Sequence, residues 1–66
     1  MSITPRQKQV LLELCKGKSN KQIARDLGIA EATVKIHLTN IFRSLGVKTR
    51  DQAIVVIKNH EIYTNL

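Results

Sequence analysis

The chain has 66 residues, of which 42 % are hydrophobic and 24 % are charged. This length suffices for one small core and excludes most enzyme architectures, and the hydrophobic share exceeds that of a disordered segment. Hydrophobic runs stay far below the roughly 20 residues that span a bilayer, and no basic start followed by an apolar stretch opens the sequence. We therefore expect a single soluble, cytoplasmic domain over residues 1–66, with no contact to a membrane.

Positive charge is concentrated in the middle of the sequence. Lys and Arg total 11 against 5 Asp and Glu, which gives a formal net charge of +6. Between residues 16 and 50, eight cations face only two carboxylates, so this segment carries the whole surplus. The surplus suits a polyanionic partner, and the alternative is a solvated surface that only keeps the protein soluble. Charge alone leaves both interpretations open.

Capping motifs and glycines divide the sequence into four predicted helices. Capping boxes, in which a hydroxyl residue is followed three positions later by Gln, begin at Thr4, Ser19 and Thr49. Three glycines follow apolar-periodic segments, where a left-handed residue ends a helix: Gly17, Gly28 and Gly46. The sequence thus predicts an all-α, four-helix fold with helices at about 5–16, 20–27, 31–45 and 50–60.

Hydrophobic periodicity identifies the faces that form the core. In the third predicted helix, one stripe within about 100° of arc holds Val34, Leu38, Ile41, Phe42 and Leu45. The other helices are expected to contribute Val10, Leu11, Leu14, Cys15, Ile23, Ala24, Leu27, Ala53, Val56, Ile57 and the stem of His60. On the fourth predicted helix, Ile54 lies at the margin of the core-facing side, and Val55 lies on the opposite side.

The second and third predicted helices form a helix-turn-helix pattern. They are joined only by residues 28–30, and the longer second helix of such a unit can enter the major groove of DNA. The face opposite its apolar stripe is small, branched, amide or cationic and contains no acid: Ala32, Lys35, Ile36, Thr39, Asn40 and Arg43. Three of these residues, Lys35, Ile36 and Thr39, are predicted base contacts. Chance absence of acids from a solvated face is the alternative, but an exposed isoleucine gains nothing in water.

Phosphate contacts are predicted around this face. Asn20 and Lys21 lie at a predicted helix N-terminus, whose free amides and dipole favour phosphate. The other candidates are polar or basic residues of the third helix and of the segment after it: Thr33, His37, Asn40, Arg43, Lys48 and Arg50.

Other kinds of chemistry find little support. Cys15 is the only cysteine and is predicted to be a core residue, while His37 and His60 lack ligand partners at helical spacing. No catalytic site, metal or cofactor is therefore expected. RNA readers stack bases on aromatic residues, and only Phe42 and Tyr63 are available. A module that only binds other proteins remains the alternative to DNA binding.

Specific stretches of the chain match a known family. They comprise residues 3–6 and 10–11, then 17–24, 27–29, 33–37, and finally 45–50 with Ala53. Over residues 3–57 the sequence resembles the DNA-binding domain of LuxR-type regulators, the GerE-like NarL/FixJ group. The resemblance implies a four-helix domain that binds promoter DNA as a dimer and activates or represses transcription. It also implies base contacts at the positions of Lys35, Ile36 and Thr39.

Two positions depart from the family. Ala30 stands where the family usually has Ser or Thr before the recognition helix, and Gln7 stands where it usually has Glu. Neither change touches the groove face. Full-length members usually carry an N-terminal receiver or signal-binding domain and act at promoters with RNA polymerase. The chain is therefore expected to be a stand-alone regulator or the output domain of a longer one.

A homodimer on DNA is expected because one unit covers only a few base pairs and would bind weakly alone. On the last predicted helix, Val55, Lys58 and Ile62 form a row that the core does not use. This row is the predicted dimer interface, and the alternative is that Val55 is simply exposed.

Overall fold

A computed structural model describes residues 3–59 of the protein. Over this range the chain forms four helices, α1 (Pro5–Cys15), α2 (Asn20–Leu27), α3 (Glu31–Leu45) and α4 (Arg50–Lys58), and no strand. The predicted all-α, four-helix fold is confirmed. Helix α1 ends one residue earlier than predicted, and α4 ends at Lys58 with Asn59 as its C-cap, short of the predicted end at His60, which lies outside the described residues.

The helix boundaries follow the capping chemistry of the sequence. Thr4, Ser19 and Thr49 each accept a hydrogen bond from the backbone N–H three residues on, and the Gln at that position reaches back to the cap. Helices α2 and α3 both end at a glycine in the left-handed region, Gly28 with φ 68° and Gly46 with φ 71°. A residue with a Cβ pays about 1–2 kcal/mol there, so glycine sets these two ends.

The core is built around α3. Val34, Leu38 and Ile41 are buried on its inner face, and they pack with residues from the other three helices, namely Val10, Leu11, Leu14, Ile23, Ala24, Ala53 and Ile57. Phe42 and Leu45 extend the stripe as half-buried residues against this core. The predicted stripe of α3 is therefore confirmed, and its burial sets which side of α3 faces outward.

Helix α4 contacts the core through a slightly different set of residues than predicted. Ala53 and Ile57 are buried, but Ile54 packs against the core and Val56 does not. Val56 is half-buried at an open cleft that it shares with Val47. The prediction for Val56 was wrong because α4 packs against both α1 and α3, and this packing places Ile54 rather than Val56 against the core.

Lys18 holds the connection between α1 and α2 in place. Its ammonium nitrogen Nζ lies 2.8 Å from Glu13 Oε1 on α1 and 2.7 Å from Asp26 Oδ2 on α2. Lys16 Nζ lies 2.9 Å from the other oxygen of Glu13, whose side chain is only 14 % exposed. Hydrogen bonds from Lys18 and Lys16 lower the pKa of Glu13, and those to Asp26 and Glu13 raise the pKa of Lys18.

We expect this cluster to make the stability of the fold depend on pH. Because the pKa of Glu13 is lowered in the folded protein, the unfolded chain binds this proton first as the pH falls. The stabilisation is complete above the ordinary value of 4.5 and disappears as the pH falls through the lower folded-state pKa. Urea unfolding of Glu13→Gln should lack this acid-induced loss. Profiles that run parallel for the variant and the unsubstituted protein would contradict the role of Glu13.

A second prediction concerns the start of α3. Its N-cap, Ala30, makes no side-chain hydrogen bond, so the first amides of α3 lack the acceptor that the other three helices have. Ala30→Ser supplies a hydroxyl there and should raise the free energy of unfolding by about 1 kcal/mol. Ala32→Ser, inside the same helix, is the matched control and should lower stability slightly through helix propensity. Equal effects of both substitutions in thermal unfolding would show that capping does not limit this helix.

Candidate nucleic-acid interface

Helices α2 and α3 form the predicted helix-turn-helix unit. The amide of Ile29 donates to the carbonyl of Ala24 at 3.0 Å, which closes the end of α2 around Gly28. Ala30 is extended, and α3 begins at the next residue. The turn is therefore tight, and the shared core of Ile23, Ala24 and Val34 lies directly beneath it. This packing fixes which side of α3 faces outward.

The outer face of α3 presents the residues that the sequence predicted. Lys35, Ile36, Thr39, Asn40 and Arg43 are all exposed, opposite the buried stripe. The side chain of Ile36 is 61 % exposed, one of two large hydrophobic residues exposed to this degree within residues 3–59. From residue 32 to residue 45 the helix contains no carboxylate. The result is a cationic face with an apolar centre, which can meet phosphates at its edges and base edges at its middle.

Thr39 has a specific hydrogen-bonding state. Its hydroxyl donates to the carbonyl of Lys35 at 2.9 Å, one helical turn earlier. A threonine hydroxyl can in general act as donor or acceptor. With the hydroxyl proton engaged within the helix, the γ-methyl group and the lone pairs of Oγ1 are left for contacts with a partner.

The predicted phosphate contacts fall into two groups by exposure. Lys21, Asn40, Arg43 and Lys48 are exposed, on α2, on α3 and on the connection to α4. Thr33 and His37 are half-buried on α3, and Asn20 and Arg50 are half-buried where the first turns of α2 and α4 approach each other. Six of the eight lie on α2 and α3 themselves, and Lys48 and Arg50 follow α3 in the chain.

The structure adds two features of charge that sequence reasoning missed. Lys16 and Lys18 pair with Glu13 and Asp26, while the other six central cations pair with no carboxylate of residues 3–59. Arg50 donates from Nη1 to the carbonyl oxygen of Lys18 at 3.0 Å and from Nη2 to Oδ1 of Asn20. No sequence spacing signals these contacts, because Arg50 lies 32 and 30 residues from its two acceptors.

The predicted dimer row is exposed where the structure describes it. The side chain of Val55 is 57 % exposed, and Lys58 is exposed one turn later. Val55 and Val56 border an open cleft of about 430 Å³, which Gly46, Val47, Asp51 and Gln52 also line. The third residue of the row, Ile62, lies outside the described residues.

Cys15 carries no sign of reactivity in its surroundings. Its side chain is half-buried against the core, and this burial raises the pKa of its thiol. Across residues 3–59, no group of three or more His, Cys, Asp or Glu residues is placed to hold a metal ion. None of the helices in that range is both long and apolar enough to cross a membrane.

Comparison with known proteins gives a consistent set of relatives. The CsgBAC operon transcriptional regulatory protein of Escherichia coli K12 is 50 % identical over 52 residues, which are 79 % of this chain and 24 % of that protein. The nitrate/nitrite response regulator NarP of the same organism is 48 % identical over 54 residues, 82 % of this chain and 25 % of NarP. The glycerol metabolism activator of Pseudomonas putida is 52 % identical over 54 residues, again 82 % of this chain and 24 % of the relative.

A solved structure agrees with these sequences. The crystal structure of the response regulator ChrA, from a heme-sensing two-component system, superposes with a TM-score of 0.89 at 39 % identity, covering 94 % of this chain and 31 % of ChrA. The chain thus spans about a quarter of the curated relatives' length and about a third of ChrA. The sequence profile of the bacterial regulatory proteins of the luxR family, GerE, matches residues 1–57. On sequence and fold together, the chain belongs to the luxR family of bacterial regulatory proteins, as its helix-turn-helix DNA-binding domain.

Proposed function

We propose that this chain binds double-stranded promoter DNA in a sequence-specific manner, with α3 in the major groove, and thereby regulates transcription. The observation that carries the proposal is the outer face of α3, where exposed Ile36 lies among cations and no carboxylate intervenes. A major groove buries an apolar side chain against thymine methyl groups and satisfies cations at its phosphate walls. In water, the side chain of Ile36 has no such apolar contact.

Three residues supply the proposed base contacts. The ammonium group of Lys35 can donate to O6 and N7 of guanine, and Ile36 can pack against the methyl group of thymine. Thr39, whose hydroxyl proton is engaged with the carbonyl of Lys35, can contact a thymine methyl or accept from the amino group of adenine or cytosine. Lys35 therefore favours guanine and Ile36 favours thymine, and a difference of this kind is required for reading a sequence.

The proposed phosphate contacts surround this centre. Exposed Lys21, Asn40, Arg43 and Lys48 reach outward from α2, α3 and the connection after α3, and Thr33 and His37 add shorter polar side chains. Asn20 and Arg50 can bind phosphate through those of their N–H groups that do not take part in the hydrogen bond between them. Each cation that neutralises a phosphate releases counterions, so the proposed binding weakens steeply with salt.

The proposed assembly is a homodimer on two half-sites. One recognition helix reads only a few base pairs, and two copies on a two-fold related site combine their contacts. Exposed Val55, with Lys58 beside it and the cleft at Val56, provides an apolar strip that a second copy can cover. Ile62, outside the described residues, would extend this strip.

The relatives suggest the setting in which the domain works. NarP and ChrA are named as response regulators, and the chain matches only about a quarter to a third of each. We propose that the domain acts in the cytoplasm as the output part of such a regulator, behind a receiver or signal-binding domain, or as a small stand-alone regulator. In either form it would act on transcription together with RNA polymerase.

Site selection from a random duplex pool tests the function itself, and a recurrent motif with two related halves is expected. A salt titration then separates DNA binding from a role as a protein-interaction module. For DNA binding, log affinity should fall with log salt by about 0.9 for each phosphate contact. Failure to enrich any sequence, with no salt-dependent duplex binding, would favour the protein-interaction module.

Two classes of substitution should separate base contacts from phosphate contacts. Lys35→Ala and Thr39→Ala should each lose about 1–3 kcal/mol of discrimination between the selected and a random duplex. Lys21→Ala should weaken binding to both duplexes alike and make the salt slope shallower by about one unit. Fluorescence anisotropy on both duplexes, at several salt concentrations, measures both quantities.

Contrary results would reassign these residues. Equal losses on both duplexes would make Lys35 and Thr39 phosphate contacts, and an unchanged salt slope would place Lys21 away from DNA.

The dimer interface makes a separate prediction. Val55→Glu puts a charge into the apolar strip and should lower cooperativity on a two-site duplex while leaving affinity for a single half-site unchanged. Gln9→Glu, an exposed position on α1 with the same change in charge, is the matched control. Binding isotherms of Val55→Glu that remain as cooperative as those of Gln9→Glu would show that the copies do not meet through this row.

A further inference from the structure

Arg50 makes contacts that its own helix does not require. It is the first residue of α4, where the helix dipole disfavours a cation. Its guanidinium instead extends to the connection before α2, where Nη1 donates to the carbonyl oxygen of Lys18 at 3.0 Å and Nη2 donates to Oδ1 of Asn20. The planar arrangement of guanidinium donors suits two neighbouring acceptors, and the ammonium group of a lysine cannot reproduce it.

The segment that Arg50 contacts is held from its other side as well. The ammonium group of Lys18 bonds to Glu13 on α1 and to Asp26 on α2, while its carbonyl accepts from Arg50. Ser19 then caps α2, accepting from the amide of Gln22 at 3.2 Å. The first turn of α2 is thus joined to α1 through Lys18 and to α4 through Arg50.

The bond to Asn20 also determines which way its amide group points. Because Oδ1 accepts from Arg50, the two N–H donors of Nδ2 are directed away from the guanidinium. Asn20 and Lys21 are the first residues of α2, so these donors lie at the end of the helix dipole that favours phosphate. Neither acceptor of Arg50 is charged, so the positive charge of the guanidinium is retained beside them.

From this geometry we infer that Arg50 is a positioning residue for DNA binding. It orients the amide of Asn20 and fixes the first turn of α2, so that Asn20 and Lys21 together can bind one phosphate. The same contact connects α4, which carries the proposed dimer row, to the phosphate-binding end of α2. The inference rests on the proposed DNA-binding function and assigns Arg50 a role beyond that of one more cation.

Arg50→Lys tests the inference because it keeps the charge and removes the paired donors. Without DNA, amide hydrogen exchange at Gln22 and Ile23, which bond to Ser19, should become faster, while exchange at Leu38 and Ile41 in the middle of α3 should not. Affinity for selected and random duplexes should fall by about threefold to tenfold, as expected when one hydrogen bond of ordinary strength is lost. The salt slope should not change. Arg6→Lys, at an exposed position of α1, is the matched control and should alter neither the exchange rates nor the affinity.

A double-mutant cycle then distinguishes positioning from a separate contact. Asn20→Ala should lower affinity in the unsubstituted protein but change it little further in Arg50→Lys, because the amide is already released. Additive losses, unchanged exchange at Gln22 and Ile23, or full affinity of Arg50→Lys would each overturn the inference. If the unsubstituted protein bound no duplex at all, the proposed function would fail, and the exchange data alone would still decide whether Arg50 orders α2.

Discussion

The burial of one side of α3 is the constraint on which the rest of the molecule depends. Val34, Leu38 and Ile41 are enclosed by the other three helices, and each buried aliphatic side chain contributes about 1.5–3 kcal/mol. In a domain of 66 residues, each of these contributions is a large fraction of the net stability. Burial of this stripe leaves α3 a single rotation about its axis. That rotation presents Lys35, Ile36 and Thr39 to the outside.

The ends of the helices are fixed by separate, local interactions. Three of the four helices begin with a capping box, and the turn between α2 and α3 depends on Gly28. The turn places the end of α2 next to the start of α3, and the capping box of Ser19 defines the start of α2. Longer contacts from Lys18 and Arg50 then tie that start to α1 and α4. The proposed phosphate-binding end is therefore ordered by side chains from three different helices before any DNA is present, and preorganisation of this kind reduces the cost of binding.

Most of the fold could be predicted from sequence because its signals are local. A capping residue and a terminal glycine form their hydrogen bonds within about four residues, and the apolar stripe of α3 repeats within one helix. The positions of the helices and the outward face of α3 could therefore be predicted from the sequence. The inward turn of Ile54 in place of Val56 could not be predicted, since it depends on how α4 crosses α1 and α3. The contacts of Arg50 span 30 residues or more and have no periodic signature.

The proposed DNA-binding face also has features that the sequence predicts and features that it does not. Exposure of Lys35 and Ile36 follows from the helical period, but the hydrogen bond of Thr39 depends on its side-chain rotamer, on which the sequence is silent. Which bases and phosphates these residues contact, and whether Val55 meets a second copy, stay predictions. Membership of the luxR family supports the general role of the domain, since the match covers residues 1–57.

The central claim, that the outer face of α3 lies in the major groove, can be measured directly by NMR on a complex with a selected duplex. Intermolecular nuclear Overhauser effects should connect the methyl groups of Ile36 with thymine methyl or other major-groove base protons, because Ile36 occupies the centre of that face. Contacts of Ile36 to minor-groove protons only, or no contacts while other helices shift on binding, would contradict it.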